Sequence, residues 1–232
     1  MNEISTKKTD GNFANTVLAD AVFRPILFST PMVQAILDGR KTQTRRIIKP
    51  QPTKQLSFSG TFKKHWSENV SDLKLPYFQA KYQKGDIMWV RETFEVVPVE
   101  MASIKENRSD VRMKIKYKAD GGQSFLRWKP SIFMPKKACR IFLKVTNVRV
   151  ERLQNISEED AISEGVEVIC PAPLLFRYKN YWDNVDQHPH LSSAKFSFRS
   201  LWETINGLSS WNENPWVWVY DFERIERPLG FC

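Results

Sequence analysis

Apolar residues recur along the chain in two rhythms, and the switches between them mark the elements. Met32, Val33, Ile36 and Leu37 fall at helical spacing behind Ser29, Thr30 and Pro31. A hydroxyl residue followed by proline is a helix start, and Gly39 supplies the stop. After the turn Gly85-Asp86, the run Ile87, Met88, Trp89, Val90, Arg91 predicts a buried strand. Met113 to Tyr117 predicts another, followed by a turn at Asp120, Gly121 and Gly122. Ile141 to Leu153 mixes β-branched and basic residues in near alternation, with Ile141, Leu143 and Val145 on one face, and predicts the longest strand. Ser157 precedes Glu158, Glu159 and Asp160 as in a capping box with Asp in place of Glu, opening a short helix that ends at Gly165. Phe198, Leu201, Trp202 and Ile205 keep the i, i+3, i+4, i+7 pattern of a third helix, closed by Gly207. Trp216 to Ile225 alternates aromatic with small or charged residues and predicts a closing strand. Strands and helices in irregular order, with few βαβ signatures, predict a barrel-like α+β fold. No internal repeat is visible.

Residues 1–22 are polar and predict a flexible N-terminal arm. The remainder, 23–228, reads as one domain with insertions near 49–81 and 168–195 that lack a clear period. With 15 Phe and 8 Trp the composition is that of a folded globule. The excess of Lys and Arg, +9 in formal charge, points to a polyanionic partner. Three widely spaced cysteines, Cys139, Cys170 and Cys232, argue against a disulfide framework and for a reducing cytoplasm. No run approaches the length of a membrane span, so no membrane partner is expected. Asp183, Asp186, His188 and His190 make the one plausible ligand cluster, but its spacing is not that of a hydrolase metal site, and neither metal nor cofactor is expected. P-loop, GxGxxG and GxSxG motifs are absent.

Candidate chemistry concentrates at Gly39 to Arg46, GRKTQTRR. Arg40, Lys41, Arg45, Arg46 and Lys49 bring five cations with no acid among them. Guanidinium groups do not lose their charge, so they disfavour protonation of Lys41 and make it a candidate general base. Thr44, three residues on, is the hydroxyl it would activate or orient. Elsewhere, Trp128 and Lys129 combine a stacking ring with a phosphate-binding charge. Trp89, Arg91 and Glu92 either line a pocket or form a structural ion pair.

Gly39, Lys41 and Arg46 in GRKTQTRR resemble the G-x-K-x-x-E-x-R signature of ASCH domains, a branch of the PUA-like β-barrel superfamily. Thr44 stands where the motif has Glu, as it does in ASCH amidohydrolases that act on N4-acetylcytidine. Ile156 to Gly165, ISEEDAISEG, is similar to a later segment of those enzymes and brings Glu164 into the set. The blocks ILFSTPMVQAILDGRKTQTRR, GDIMWVRETF, RWKPSIFMPKKACRI, RVERLQNISEEDAISEGV and NPWVWVYDFERI resemble ASCH-like proteins common in phages and prophages. The resemblance implies a PUA-like mixed β-barrel flanked by short helices, with long inserted loops. It implies an amidohydrolase that removes an acyl group from N4 of cytosine, in a nucleoside or in RNA, within a bacterial host's cytoplasm. Lys41 would be the general base, Thr44 the nucleophile or water-orienting group, and Glu164 the residue that positions Lys41 and shuttles a proton. Arg40, Arg45 and Arg46 would bind phosphate or the oxyanion, with Trp89, Arg91, Glu92, Trp128 and Lys129 as further substrate contacts. Two alternatives stay open: a module that binds RNA or modified DNA without turnover, and a metal-independent ribonuclease.

Overall fold

The computed structural model describes residues 22–53, 57–58, 66–67, 78–98, 113–172, 175–182 and 190–231. Of the expected arm, all but Val22 lies outside them, as do Asp183, Asp186 and His188. The chain is α+β. Its frame is a five-stranded mixed sheet in the order β1 (Phe23–Leu27), β5 (Ile87–Arg91), β8 (Phe142–Arg152), β12 (Trp216–Ile225), β2 (Gln43–Ile47). β1 runs parallel to β5, and the other neighbours are antiparallel. The expected barrel is an open sheet among the described residues: β1 and β2 are its two edges and do not pair with each other. The sheet nevertheless curls until one side chain spans the gap, where an Arg46 NH2 group donates to the Leu27 carbonyl at 2.9 Å.

Alternation along the strands divides the core. Ile26, Met88, Val90, Leu143, Val145, Trp218, Tyr220 and Phe222 face one way and meet Val33 and Ile36 of helix α1 (Thr30–Leu37). The opposite face is covered in two parts. At the β12–β2 end, Val217 and Val219 pack with Ala161 of α2 (Glu158–Ser163) and Phe198 and Trp202 of α3 (Ala194–Asn206). At the β5 end, Ile87, Trp89 and Phe142 pack with Phe94 of the hairpin formed by β6 (Phe94–Pro98) and β7 (Met113–Tyr117).

Strict alternation along β8 would put Arg149 and Glu151 on the same face as Leu143 and Val145. A register shift prevents this. Phe222 pairs with Val145 whereas Asp221 pairs with Asn147, so β8 carries one extra residue there. The bulge reverses the parity, sends Val148 and Val150 inward with Leu143, and turns Asn147, Arg149 and Glu151 to the face that carries α2.

The stretch after Gly39 forms an edge strand over Gln43–Ile47, where the residue pattern predicted no element. Two expectations need correction. The second insertion is not loop throughout, since β9 (Val168–Ala172), β10 (Leu175–Lys179) and β11 (His190–Leu191) form a three-stranded antiparallel sheet. Ile205 is on the α3 pattern but half exposed, because the buried stripe of that helix ends at Glu203. Within the first insertion, the short strands β3 (Ser57–Phe58) and β4 (Trp66–Ser67) pair with each other.

Candidate functional site

Gly39, at φ +74°, ends α1 and turns the chain so that Lys41 meets the far end of α2. Lys41 and Glu164 form an antiparallel bridge, and Thr42 N–H donates to the Ser163 carbonyl at 2.9 Å. Gly165, at φ +89°, lets these segments approach. A Cβ there would lie 2.8 Å from Lys41 Cβ and 2.9 Å from Ala35 Cβ. The fit fixes where the lysine side chain begins.

The Lys41 side chain is completely buried. Its Nζ donates to Glu164 Oε2 at 2.7 Å and to the Glu164 carbonyl at 2.7 Å, and sits 5.7 Å from the centre of the Phe28 ring. Burial lowers its pKa below the ordinary 10.5; the Glu164 carboxylate opposes this, while Arg46 and Arg45 add to it. Desolvation is thus the largest influence on the Lys41 amine, ahead of both the acid and the arginines.

Glu164 has a second partner. Its Oε1 accepts from Arg45 at 3.1 Å. Arg45, also wholly buried, donates to Asp160 Oδ2 at 2.8 Å, to Glu151 and to Gln43 Oε1. Gln43 donates onward to Asp160 at 3.1 Å and to Asp221 at 2.6 Å. Arg149 closes the ring, reaching Asp160 at 2.7 Å and Asp221 at 2.9 Å. Burial tends to raise the Asp160 pKa, but Gln43, Arg45 and Arg149 outweigh it and hold the carboxyl below its usual range. Arg45 is therefore a cross-link between the Glu164 carboxylate and three elements of the frame, with its guanidinium turned to carboxylates.

Thr44 and Arg46 point the other way, onto the interior face of the curled sheet, where Thr44 lies across from Tyr220 and Arg46 across from Trp218. Thr44 is buried, and no hydrogen bond engages its hydroxyl among the described residues. The Arg46 guanidinium stacks 5.2 Å from the centre of Phe28, with Tyr82, Glu164 and Tyr220 in its electrostatic surroundings. Tyr82 and Tyr220 meet edge to face at 5.1 Å, and the Tyr82 hydroxyl donates to the Pro25 carbonyl at 2.7 Å. Burial pushes the Tyr82 hydroxyl up to about 12, so it stays a donor at neutral pH. The Lys41 amine and the Arg46 guanidinium thus flank one phenylalanine ring, with Thr44, Tyr82 and Tyr220 on the same interior side of the sheet.

The remaining candidates lie apart from this group. Arg40 is half exposed, donating to the Gly165 carbonyl at 3.0 Å and to Asp38 at 2.9 Å. Glu92 is buried in a two-pronged pair with Arg140, both contacts 2.9 Å, and Arg140 also reaches Asp120. Arg91 donates to the Met134 and Ile132 carbonyls, with its guanidinium 5.7 Å from the Trp89 ring centre. Arg91 and Glu92 therefore do not pair with each other: Glu92 takes Arg140 as its cation, and Arg91 is engaged by backbone carbonyls. Trp128 is half-buried, and the exposed Lys129 pairs through its backbone with Phe94. Cys139 is buried, which pushes its thiol up to about 11 and leaves it unreactive at neutral pH. No group of three or more His, Cys, Asp or Glu side chains suited to a metal ion occurs among the described residues. No helix among them is long and apolar enough to cross a membrane.

Gln43, Asp160, Arg149 and Asp221 belong to the site's frame, yet sequence reasoning did not single them out for it. Asp160 had registered only as a helix-cap residue, and the others come from strands far apart in the chain. The one local signal was a glutamine between cations on what proved to be a strand. No protein-family model, curated protein or solved structure matches this chain.

Proposed function

We propose that the chain is an ASCH-type amidohydrolase that removes an acyl group from N4 of cytosine, and that the curled sheet corresponds to the PUA-like barrel of that family. The observation that carries the reading is Lys41: a wholly buried amine, anchored at 2.7 Å to a carboxylate and a carbonyl, with its pKa lowered by desolvation. A lysine so placed can serve as general base, because burial shifts its equilibrium toward the neutral amine. Lys41 takes a proton from the Thr44 hydroxyl or from a water that Thr44 orients. The oxygen attacks the acyl carbonyl, and the tetrahedral oxyanion is met by the Arg46 guanidinium. As the carbon–nitrogen bond breaks, the proton held between Lys41 and Glu164 passes to the departing N4. Where Thr44 itself attacks, a water deprotonated by Lys41 then cleaves the acyl–Thr44 ester and the threonine oxygen regains its proton; where water attacks directly, collapse of the intermediate completes the reaction, and by either route the products are the free cytosine amine and a carboxylic acid. Arg45 holds Glu164 from behind and lets the carboxylate serve Lys41 with one oxygen.

Incubation of the purified protein with N4-acetylcytidine, with cytidine release followed by chromatography, tests this. Release that disappears in Lys41→Met and Thr44→Val is the expected result. No release, or release indifferent to both substitutions, overturns the assignment.

A further inference from the structure

Between Gly121 and Cys139 the chain carries Arg127, Lys129, Lys136 and Lys137 and no acid. This stretch is also where large apolar side chains stand in solvent: Phe125 is 80% exposed, Leu126 71%, Ile132 57% and Phe133 68%. The exposure is built into the backbone. The buried Glu95 carboxylate accepts from Ser124 Oγ at 2.9 Å and from the N–H groups of Phe125, Leu126 and Arg127, fixing the loop that carries Phe125. Burial would raise the Glu95 pKa, but those donors outweigh it and keep the carboxylate charged. Arg91 holds the Ile132 and Met134 carbonyls, fixing the turn that carries Phe133. Lys116 lies 4.3 Å from the centre of the Phe125 ring, so a cation already sits at an aromatic face.

We propose that this strip docks single-stranded nucleic acid, with bases stacking on Phe125 and Phe133 and phosphates meeting Lys129 and Lys137. Rigidly presented rings interleaved with cations suit a flexible polyanion whose bases have free faces. The acid-free stretch gives the charge complementarity that an apolar protein partner would not need. Strand binding stands on these observations alone; that the strand delivers the base to be deacylated rests on the catalytic reading above.

The test is fluorescence anisotropy of the full chain with a labelled single-stranded oligouridine of about 12 nucleotides, a length within the span of known strand-binding sites. Affinity should fall linearly on a log–log plot as salt rises. Phe125→Ala and Phe133→Ala should each weaken binding about tenfold. Lys129→Glu with Lys137→Glu should flatten the salt dependence by roughly two phosphate contacts. Both rings stand outside the core, so thermal melting should be unchanged in the alanine variants. Absence of binding at about 50 mM salt overturns the strip. So does binding indifferent to the four substitutions, or binding to phosphatidylserine vesicles in place of the oligonucleotide. Lys41→Met separates the two readings, since it should bind the strand as wild type does. Strand binding without deacylation removes the catalytic reading alone, and deacylation of free nucleoside without strand binding removes the strip alone.

Discussion

Replacing Glu164 with glutamine keeps the side chain's shape and removes its charge from between two buried cations. Arg45 retains Asp160 and Glu151, so its loss is partial. Lys41 retains the Glu164 carbonyl but no carboxylate within hydrogen-bond reach. Breaking a buried ion pair at one end usually costs about 3–5 kcal/mol. Here the structure sets a ceiling, because Lys41 can escape by losing its proton. At pH 7 that means crossing about three and a half pH units from the ordinary lysine value at about 1.4 kcal/mol each, about 5 kcal/mol in all; at pH 9 it is about 2 kcal/mol.

The sign follows from proton counting. In the wild type the Lys41 pKa is already lowered on folding, so the unfolded chain binds more protons and stability rises with pH between the folded value and 10.5. Removing Glu164 takes away what raises that pKa and leaves burial and the arginines, so in the variant the rise begins at lower pH. The destabilisation by Glu164→Gln should therefore shrink by roughly 1.4 kcal/mol per pH unit between the variant's folded pKa and the higher wild-type one, and level off above it. Urea unfolding of both proteins in steps from pH 5 to pH 10 measures it. A gap that widens with pH would refute the account of Lys41 as a desolvated, carboxylate-held amine.

Gly165→Ala combines a left-handed φ with a Cβ driven into Lys41 and Ala35, and should cost about 2–5 kcal/mol in urea unfolding while lowering deacylation even in the folded fraction. Thr44→Val removes a hydroxyl that no described group binds, so stability should change by less than about 1 kcal/mol. Deacylation by that variant should drop roughly 100-fold or more, and an unaltered rate would take Thr44 out of the mechanism. Arg140→Ala leaves the buried Glu92 without its cation and should destabilise by about 3–5 kcal/mol, with the deacylation kcat of the folded enzyme unchanged. A loss of kcat in that variant would place Glu92 in the reaction and not in the frame.

The elements that were legible in the sequence are those whose determinants are local. Pro31 in its first turn opens α1 behind Ser29, whose hydroxyl makes no cap hydrogen bond, Gly39 closes it, and Ser157 caps α2 by accepting from Asp160 N–H at 3.1 Å. β2 was illegible for the opposite reason. Gln43, Thr44 and Arg45 are polar residues buried in a strand, and what makes Arg45 tolerable there is carboxylates from β8 and α2 that lie more than a hundred residues away. β1 was obscured by Pro25, which an edge strand accommodates. The bulge at Asp221 hides the role of Arg149 and Glu151, since simple alternation sends them into the apolar core. At the site, the Lys41–Glu164 pair was anticipated only through family resemblance and the cation cluster from composition. That Arg45 faces carboxylates and Arg46 faces the interior side of the sheet follows from strand alternation, which required knowing that a strand was there.

The bridge between Lys41 and Glu164 also governs how the protein behaves in a crowd. β2 is a sheet edge, and an edge with free N–H and C=O groups invites a strand from a neighbouring molecule. The end of α2 occupies the start of that edge, through Thr42 N–H on the Ser163 carbonyl and Arg40 on the Gly165 carbonyl. The contact that seats Lys41 thus also covers the first residues of that edge. Changes that loosen this corner would uncover strand backbone, so the packing of the lysine and the exposure of the edge are coupled here through a few backbone atoms.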